Sequence, residues 1–233
     1  MITSADAIRK LRRPPSAPNW VRYIHKGTQD SAIAMARFAI SSPRISLTQV
    51  YKLLSDMACL KTSLSDALHG LEKVGNPLVR RLGREILTSF AAYNEVRLFD
   101  GIRTLNEFCV NYPLDRGVFV PVRPTFIIVE DDGLTPVFII GWTSLPFTDF
   151  QKRLLSTIIY NAVLTLTDFI GRDAEIVCFP RAKYSKSERM PRAWKVSNYK
   201  PFSAAELSAH LDRYGNALDL AADMIRSILG DDA

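Results

Sequence analysis

The sequence predicts an α+β fold, in which a helical bundle is followed by a β-β-β-α-β segment and a closing helix. Three observations point there. Apolar residues recur at three- and four-residue spacing from about Ser31 to Asn111. After Pro113 the pattern changes to short runs of β-branched and aromatic residues. Beyond Thr148 the helical period returns. With 233 residues, 47% of them apolar and 10% aromatic, the chain has the material for a well-packed core, which excludes global disorder.

Taken in order, residues 1–27 carry Arg9, Lys10, Arg12 and Arg13 and then Pro14, Pro15 and Pro18. That composition favours a short helix followed by an extended, partly mobile arm. Residues 28–112 form the bundle, with three or four helices. Ser46-x-x-Gln49 has the capping-box pattern, Ser63 followed by Asp66 is a looser version, and Gly75-Asn76-Pro77 ends one helix and opens the next. The last helix is expected to be long, with Leu78, Leu82, Ile86, Phe90, Tyr93, Leu98, Ile102, Leu105 and Cys109 along one face.

Residues 113–233 form the α/β part. Val118–Val120, Phe126–Val129 and Val137–Ile140 read as three strands of one sheet, with hairpin-turn chemistry at Glu130-Asp131-Asp132-Gly133. Thr148-x-x-Gln151 opens a helix with apolar residues every four positions to Ile170, and Gly171 suits its end. A fourth strand follows at Ala174–Phe179, and Ser203-x-x-Glu206 starts the final helix.

The stretch from Arg123 to Gln151 resembles the PD-(D/E)xK, or restriction-endonuclease-like, superfamily. There a strand opens with Pro-Asp and the next strand carries Glu-x-Lys, often followed by Thr-Ser. The resemblance implies a core order α-β-β-β-α-β and metal-dependent cleavage of phosphodiesters. Here Pro124 is followed by Thr125 where the family has Asp. In Ile140-Gly141-Trp142-Thr143-Ser144, Ile140 stands at the Glu position and Trp142 at the Lys position. Gln151 and Tyr160 on the following helix match a Gln and a Tyr that the family often places there. The carboxylates of such a nuclease hold a divalent metal through hard oxygen ligands, and its Lys activates water. Thr125, Ile140 and Trp142 supply none of this, so neither a metal nor another cofactor is expected and the protein is read as non-catalytic. A migrated acidic site at Glu130, Asp131, Asp132 and Asp149, with Lys152, is the one alternative arrangement for catalysis. The other reading of the stretch is an ordinary α/β sheet with a solvated turn.

The charge distribution gives the functional lead. Residues 181–200 hold seven Lys or Arg and only Glu188 against them, which equals the whole net charge of +6. Arg181, Lys183, Lys186, Arg189, Arg192 and Lys195 are interleaved with Tyr184 and Trp194. Cations that neutralise phosphates, alternating with rings on which bases stack, are the pattern of a nucleic-acid-contacting loop. The expected partner is nucleic acid. A docking or assembly role toward a protein, with the basic segment serving solubility or an acidic face, is the rival, and an enzyme of unrecognised type is the third reading. His25, His69 and His210 have no metal-ligand spacing, and no phosphate-loop, dinucleotide or hydrolase-elbow motif occurs. Cys59, Cys109 and Cys178 are too far apart for a disulfide framework, and with no signal segment or membrane span a cytoplasmic protein is expected.

Overall fold

The computed structural model describes residues 2–41, 45–102, 108–130, 133–145 and 147–230. In chain order the helices and strands are α1 (Ser4–Leu11), α2 (Ala17–Val21), α3 (Thr28–Ile40), α4 (Thr48–Cys59), α5 (Leu64–Glu72), α6 (Pro77–Arg97), β1 (Gly101–Ile102), β2 (Val110–Pro113), β3 (Phe119–Val122), β4 (Phe126–Glu130), β5 (Gly133–Ile140), α7 (Asp149–Ile159), β6 (Glu175–Cys178), β7 (Arg192–Lys195) and α8 (Ala204–Leu229). The fold is α+β, with a five-stranded mixed sheet in the order β1-β4-β5-β6-β7 and a separate pair, β2-β3. Within the large sheet only β5 and β6 run parallel, with Ile140 beside Cys178, and α7 lies in the connection between them.

The sheet is buried on both faces, and its alternation shows which residue goes where. Phe126, Ile128, Val137, Ile139, Val177 and Phe179 point to one side and pack with Leu54, Leu71, Ile86 and Phe90 of α4, α5 and α6. Ile127, Phe138, Ile140, Ile176 and Cys178 point to the other, where they meet Leu154, Leu155 and Ile158 of α7 and the core that also holds α1, α2, α3 and α8. Two buried faces explain why these strands read as continuous apolar runs.

Several capping motifs work as their sequences predict. Ser63 and Asn76 cap α5 and α6, and full capping boxes open α7 at Thr148 and α8 at Ser203. Ser46-x-x-Gln49 does not form its box. Helix α4 starts two residues later, with the Ser46 hydroxyl accepting the Thr48 N–H at 3.3 Å.

Four other expectations need correction. The N-terminal segment is no loose arm, because Ala7, Leu11, Trp20, Val21 and Ile24 are buried and Trp20 packs edge-on against Tyr214 of α8. The bundle is divided: α4, α5 and α6 cover one face, whereas α3 packs on α8 in the opposite core, so the packing crosses the segment boundaries at 27/28 and 112/113. Helix α6 stops at Arg97 rather than running to Cys109, since Leu98 takes a left-handed conformation and the Asn94 side chain accepts the Phe99 N–H at 3.1 Å. Finally, Val118–Val120 does not join the large sheet; β3 pairs antiparallel with β2. The third strand of the large sheet is the very short β1, antiparallel to β4.

The hairpin between β4 and β5 has Glu130 opposite Gly133, and its Asp131 and Asp132 lie outside the described residues. Helix α7 passes into a π-helical turn at Tyr160–Leu164 and a 3-10 turn at Thr167–Phe169 before Gly171, whose φ of 75° suits glycine.

Candidate nucleic-acid interface

Antiparallel pairing brings the start of β4 beside the end of β5, and the parallel pairing adds the end of β6. One end of the sheet therefore collects Thr125, Ile140, Trp142 and the beginning of the basic segment. Thr125 continues the ladder, donating its N–H to Val137 O at 2.7 Å while its hydroxyl accepts the Ile139 N–H at 2.9 Å. Ile140 is buried and Trp142 half-buried. All three line a single cavity of about 1070 Å³ between this end of the sheet, α4 and the N-terminal helices.

The chemistry of that cavity is cationic and hydroxylic. Among the described residues, Lys10, Arg22, Lys52 and Arg123 line it against Asp56 alone of the acidic residues, along with the hydroxyls of Tyr51, Ser55 and Thr125. Lys10 serves the fold, since its ammonium donates to the carbonyls of Phe38, Ala39 and Ser41 at the end of α3. Arg22 lies 4.2 Å over the Trp142 ring, which also meets Phe147 edge-on. Lys52 and Arg123 are exposed, with no ion pair among the described residues. The Tyr51 hydroxyl accepts the Gly141 N–H at 3.1 Å, and burial pushes its pKa up. A Cβ at Gly141 would stand 2.9 Å from Ile86 Cδ1, so a larger residue there would have to displace the end of that side chain.

The eight basic-segment residues fall into distinct groups. Arg181 and Arg189 are not available to a ligand. Glu85 of α6, itself almost fully buried, takes Arg181 Nη2 at 2.8 Å and Arg189 Nε at 2.9 Å. Arg189 Nη1 also donates to Trp142 O and Phe179 O at 3.0 and 2.8 Å. Its Nη2 lies 2.8 Å from the same carboxylate, an ion contact without hydrogen-bond alignment. The reason is desolvation: a buried guanidinium needs an anion and carbonyl acceptors, and burial still lowers the Arg189 pKa despite Glu85. Trp194 packs edge-on against Phe147, with its indole N–H buried. Lys195 lies opposite Glu175, at the far end of β6.

Lys183, Tyr184, Lys186 and Arg192 remain exposed, the first three in the turn closed by the Arg181–Arg189 bridge and Arg192 opposite Cys178 at the end of β6; none of them lines the cavity. Tyr184 is 93% exposed, with the Lys183 ammonium 4.9 Å from its ring. The segment is rooted beside the cavity, because Arg181 N–H donates to Thr143 O at 2.9 Å. Part of it is not a loop: Arg192–Lys195 is the edge strand β7. The paired-arginine clasp could be suspected from Glu85, a charge three residues after Leu82 on the helix stripe, but its partners lie about a hundred residues away.

The migrated acidic site does not assemble from its described members. Glu130 pairs with Arg97 beside the start of β5, while Asp149 opens α7 beyond the other end of that strand, where its exposed carboxylate pairs with Lys152 at 3.4 Å. Asp131 and Asp132 lie outside the described residues. Nor do Gln151 and Tyr160 join the cavity. Gln151 is buried and donates to the Arg22 and Ile24 carbonyls, and Tyr160 sits on the π-helical turn. Among the described residues no three His, Cys, Asp or Glu side chains gather to hold a metal, and no helix is long and apolar enough to cross a membrane. No protein-family model matches the chain, and no curated protein matches it.

Proposed function

We propose that the protein is a non-catalytic, restriction-endonuclease-like module that binds nucleic acid at the end of its sheet formed by the start of β4 and the ends of β5 and β6. The observation that carries this reading is a coincidence of place. The positions where a nuclease of the resembled family needs Asp, Glu and Lys, occupied by Thr125, Ile140 and Trp142, line one cavity, and the exposed cations of the basic segment leave from its margin. With the separate pair β2-β3, inserted between β1 and β4, set aside, the order α6-β1-β4-β5-α7-β6, with only β5 and β6 parallel, agrees with the α-β-β-β-α-β core that the resemblance implies. Ligands of α/β sheets commonly gather beyond the carboxyl ends of parallel strands. Lys183, Lys186 and Arg192 neutralise phosphates there, and Tyr184 offers a ring to a base. With no carboxylate pair at the vacant positions, binding proceeds without cleavage. Three free cysteines suit the cytoplasm as its compartment.

The test is a mobility shift of the purified chain on DNA and RNA at low salt, with and without magnesium or manganese. A shift lost in the Lys183→Glu, Lys186→Glu, Arg192→Glu variant, with the nucleic acid intact, is expected. No shift, or metal-dependent cleavage abolished by Asp149→Ala, overturns the reading.

A protein-docking role is the second reading, favoured by one feature. Ile33 and Ile40 of α3 and Leu220, Met224 and Ile228 of α8 line an apolar groove, with Ile228 59% exposed. Stable co-purification with one protein after nuclease treatment, lost in Ile228→Glu, supports that role.

A further inference from the structure

We propose that the cavity beside Thr125, Ile140 and Trp142 holds one nucleoside phosphate, its phosphate at Lys52, Arg123 and the first turn of α4 and its base on the apolar wall. The inference rests on the nucleic-acid reading of this end of the sheet and names the unit that enters it.

Size and chemistry both select this class. A volume of about 1070 Å³ is at the upper end of small-ligand sites, roughly 300–1000 Å³. The lining is divided between apolar side chains, Phe38, Ile140 and Trp142 among them, and a cationic part, as an amphiphilic ligand with an anionic end requires. Lys52 and Arg123 are exposed and make no ion pair among the described residues, where Asp56 is the one carboxylate lining the same cavity. Their chemistries are complementary, a point charge and a flat fork that takes two phosphate oxygens.

Two further features point to an acceptor in the cavity. Helix α4 begins there with no side-chain bond from its N-cap Leu47 and no acidic residue in its first turn; the Ser46 hydroxyl takes the Thr48 N–H, and the positive dipole end meets no anion among the described residues. Tyr51, one turn further on, is the independent one. Its half-buried hydroxyl accepts from Gly141 N–H, and its own proton has no acceptor among the described residues. A ligand oxygen completes it. Arg22, held on the Trp142 ring, adds positive potential to the same wall.

The test is calorimetric titration of the full chain with adenosine 5′-monophosphate and adenosine, beside anisotropy titrations of 5′-phosphorylated and 5′-hydroxyl oligonucleotides. We expect the phosphate to improve binding by about tenfold or more in at least one of these pairs, with the gain removed by Lys52→Glu or Arg123→Glu. Both positions are exposed, so these variants are expected to keep the far-ultraviolet circular dichroism of the parent. A gain confined to the nucleotide pair identifies a free nucleotide as the ligand, and a gain confined to the oligonucleotides identifies a strand end; either supports the site. Phosphate-independent binding throughout, or a gain that survives both reversals, overturns it. The nucleic-acid reading fails separately: nucleotide binding with no oligonucleotide binding sinks that reading and keeps the cavity, whereas oligonucleotide binding without a phosphate gain in either pair keeps that reading and sinks the cavity.

Discussion

Glu85 holds two guanidinium groups with one buried carboxylate, and the balance of that cluster decides which basic residues face solvent. Its side chain and that of Arg189 are 6% and 0% exposed, against 27% for Arg181. Removing the anion leaves a buried Arg189 charge with only carbonyl partners, so Glu85→Ala is expected to cost about 3–5 kcal/mol. Arg181→Ala leaves Arg189 on its carboxylate and removes the more exposed partner, at a cost of about 1 kcal/mol or less. Urea unfolding of the two variants measures the difference, and equal costs would contradict the assigned roles. The same cluster shows why charge counting misjudged individual residues. Density of Lys and Arg in a sequence locates a segment, but whether each charge is solvated or neutralised depends on an acid that can come from any distance along the chain, here 104 positions from Arg189.

At the scale of elements, local signals were legible wherever the physics is local. Capping boxes at Thr148 and Ser203, the Asn76-Pro77 start and the β4–β5 hairpin register all follow from a few neighbouring residues. What sequence pattern misplaced was settled by tertiary partners. Strand β7 carries Arg192, Trp194 and Lys195 and has no apolar run, yet it forms because β6 offers a free edge. Strand β3 has a strand-like sequence but pairs with β2, a choice that alternation cannot make. The end of α6 shows the same limit. Its apolar face continues on paper through Leu98 and Ile102, but both are substantially exposed, at 76% and 41%, and Leu98 has φ 53°. A branched side chain in that conformation costs roughly 1–2 kcal/mol, and glycine removes the penalty while adding about 0.5–1 kcal/mol of unfolded-state entropy. Leu98→Gly is therefore expected to stabilise the fold by up to about 1 kcal/mol, read as a higher urea midpoint. A lower midpoint would mean that the exposed leucine contributes packing that its burial does not reveal.

For the whole molecule, the arrangement places covering helices on both faces of the sheet and leaves one end open. That end gathers two features separated in sequence: Thr125, Ile140 and Trp142, the positions at which the stretch resembles a nuclease without its catalytic residues, and the basic segment that carries the exposed cations of residues 183–192. The positions of both stretches were legible from sequence. Their adjacency was not, because it depends on antiparallel β4–β5 pairing, parallel β5–β6 pairing and the anchoring of Arg181 and Arg189 on α6. The contribution of α4 and the N-terminal helices to the cavity had no local signal, since Lys52 and Arg123 are ordinary surface cations until the fold brings them to one opening.

The central claim is that this open end binds nucleic acid through phosphate contacts. Its most direct test is the salt dependence of binding to a fluorescent single-stranded oligonucleotide. Each phosphate contact contributes about 0.7 to the slope of log affinity against log salt for single strands. Lys183, Lys186 and Arg192 therefore account for a difference of about 2 between the parent slope and that of the variant with all three changed to Glu. A variant that binds as tightly as the parent with the same slope, or a parent that shows no binding at about 50 mM salt, would contradict the account.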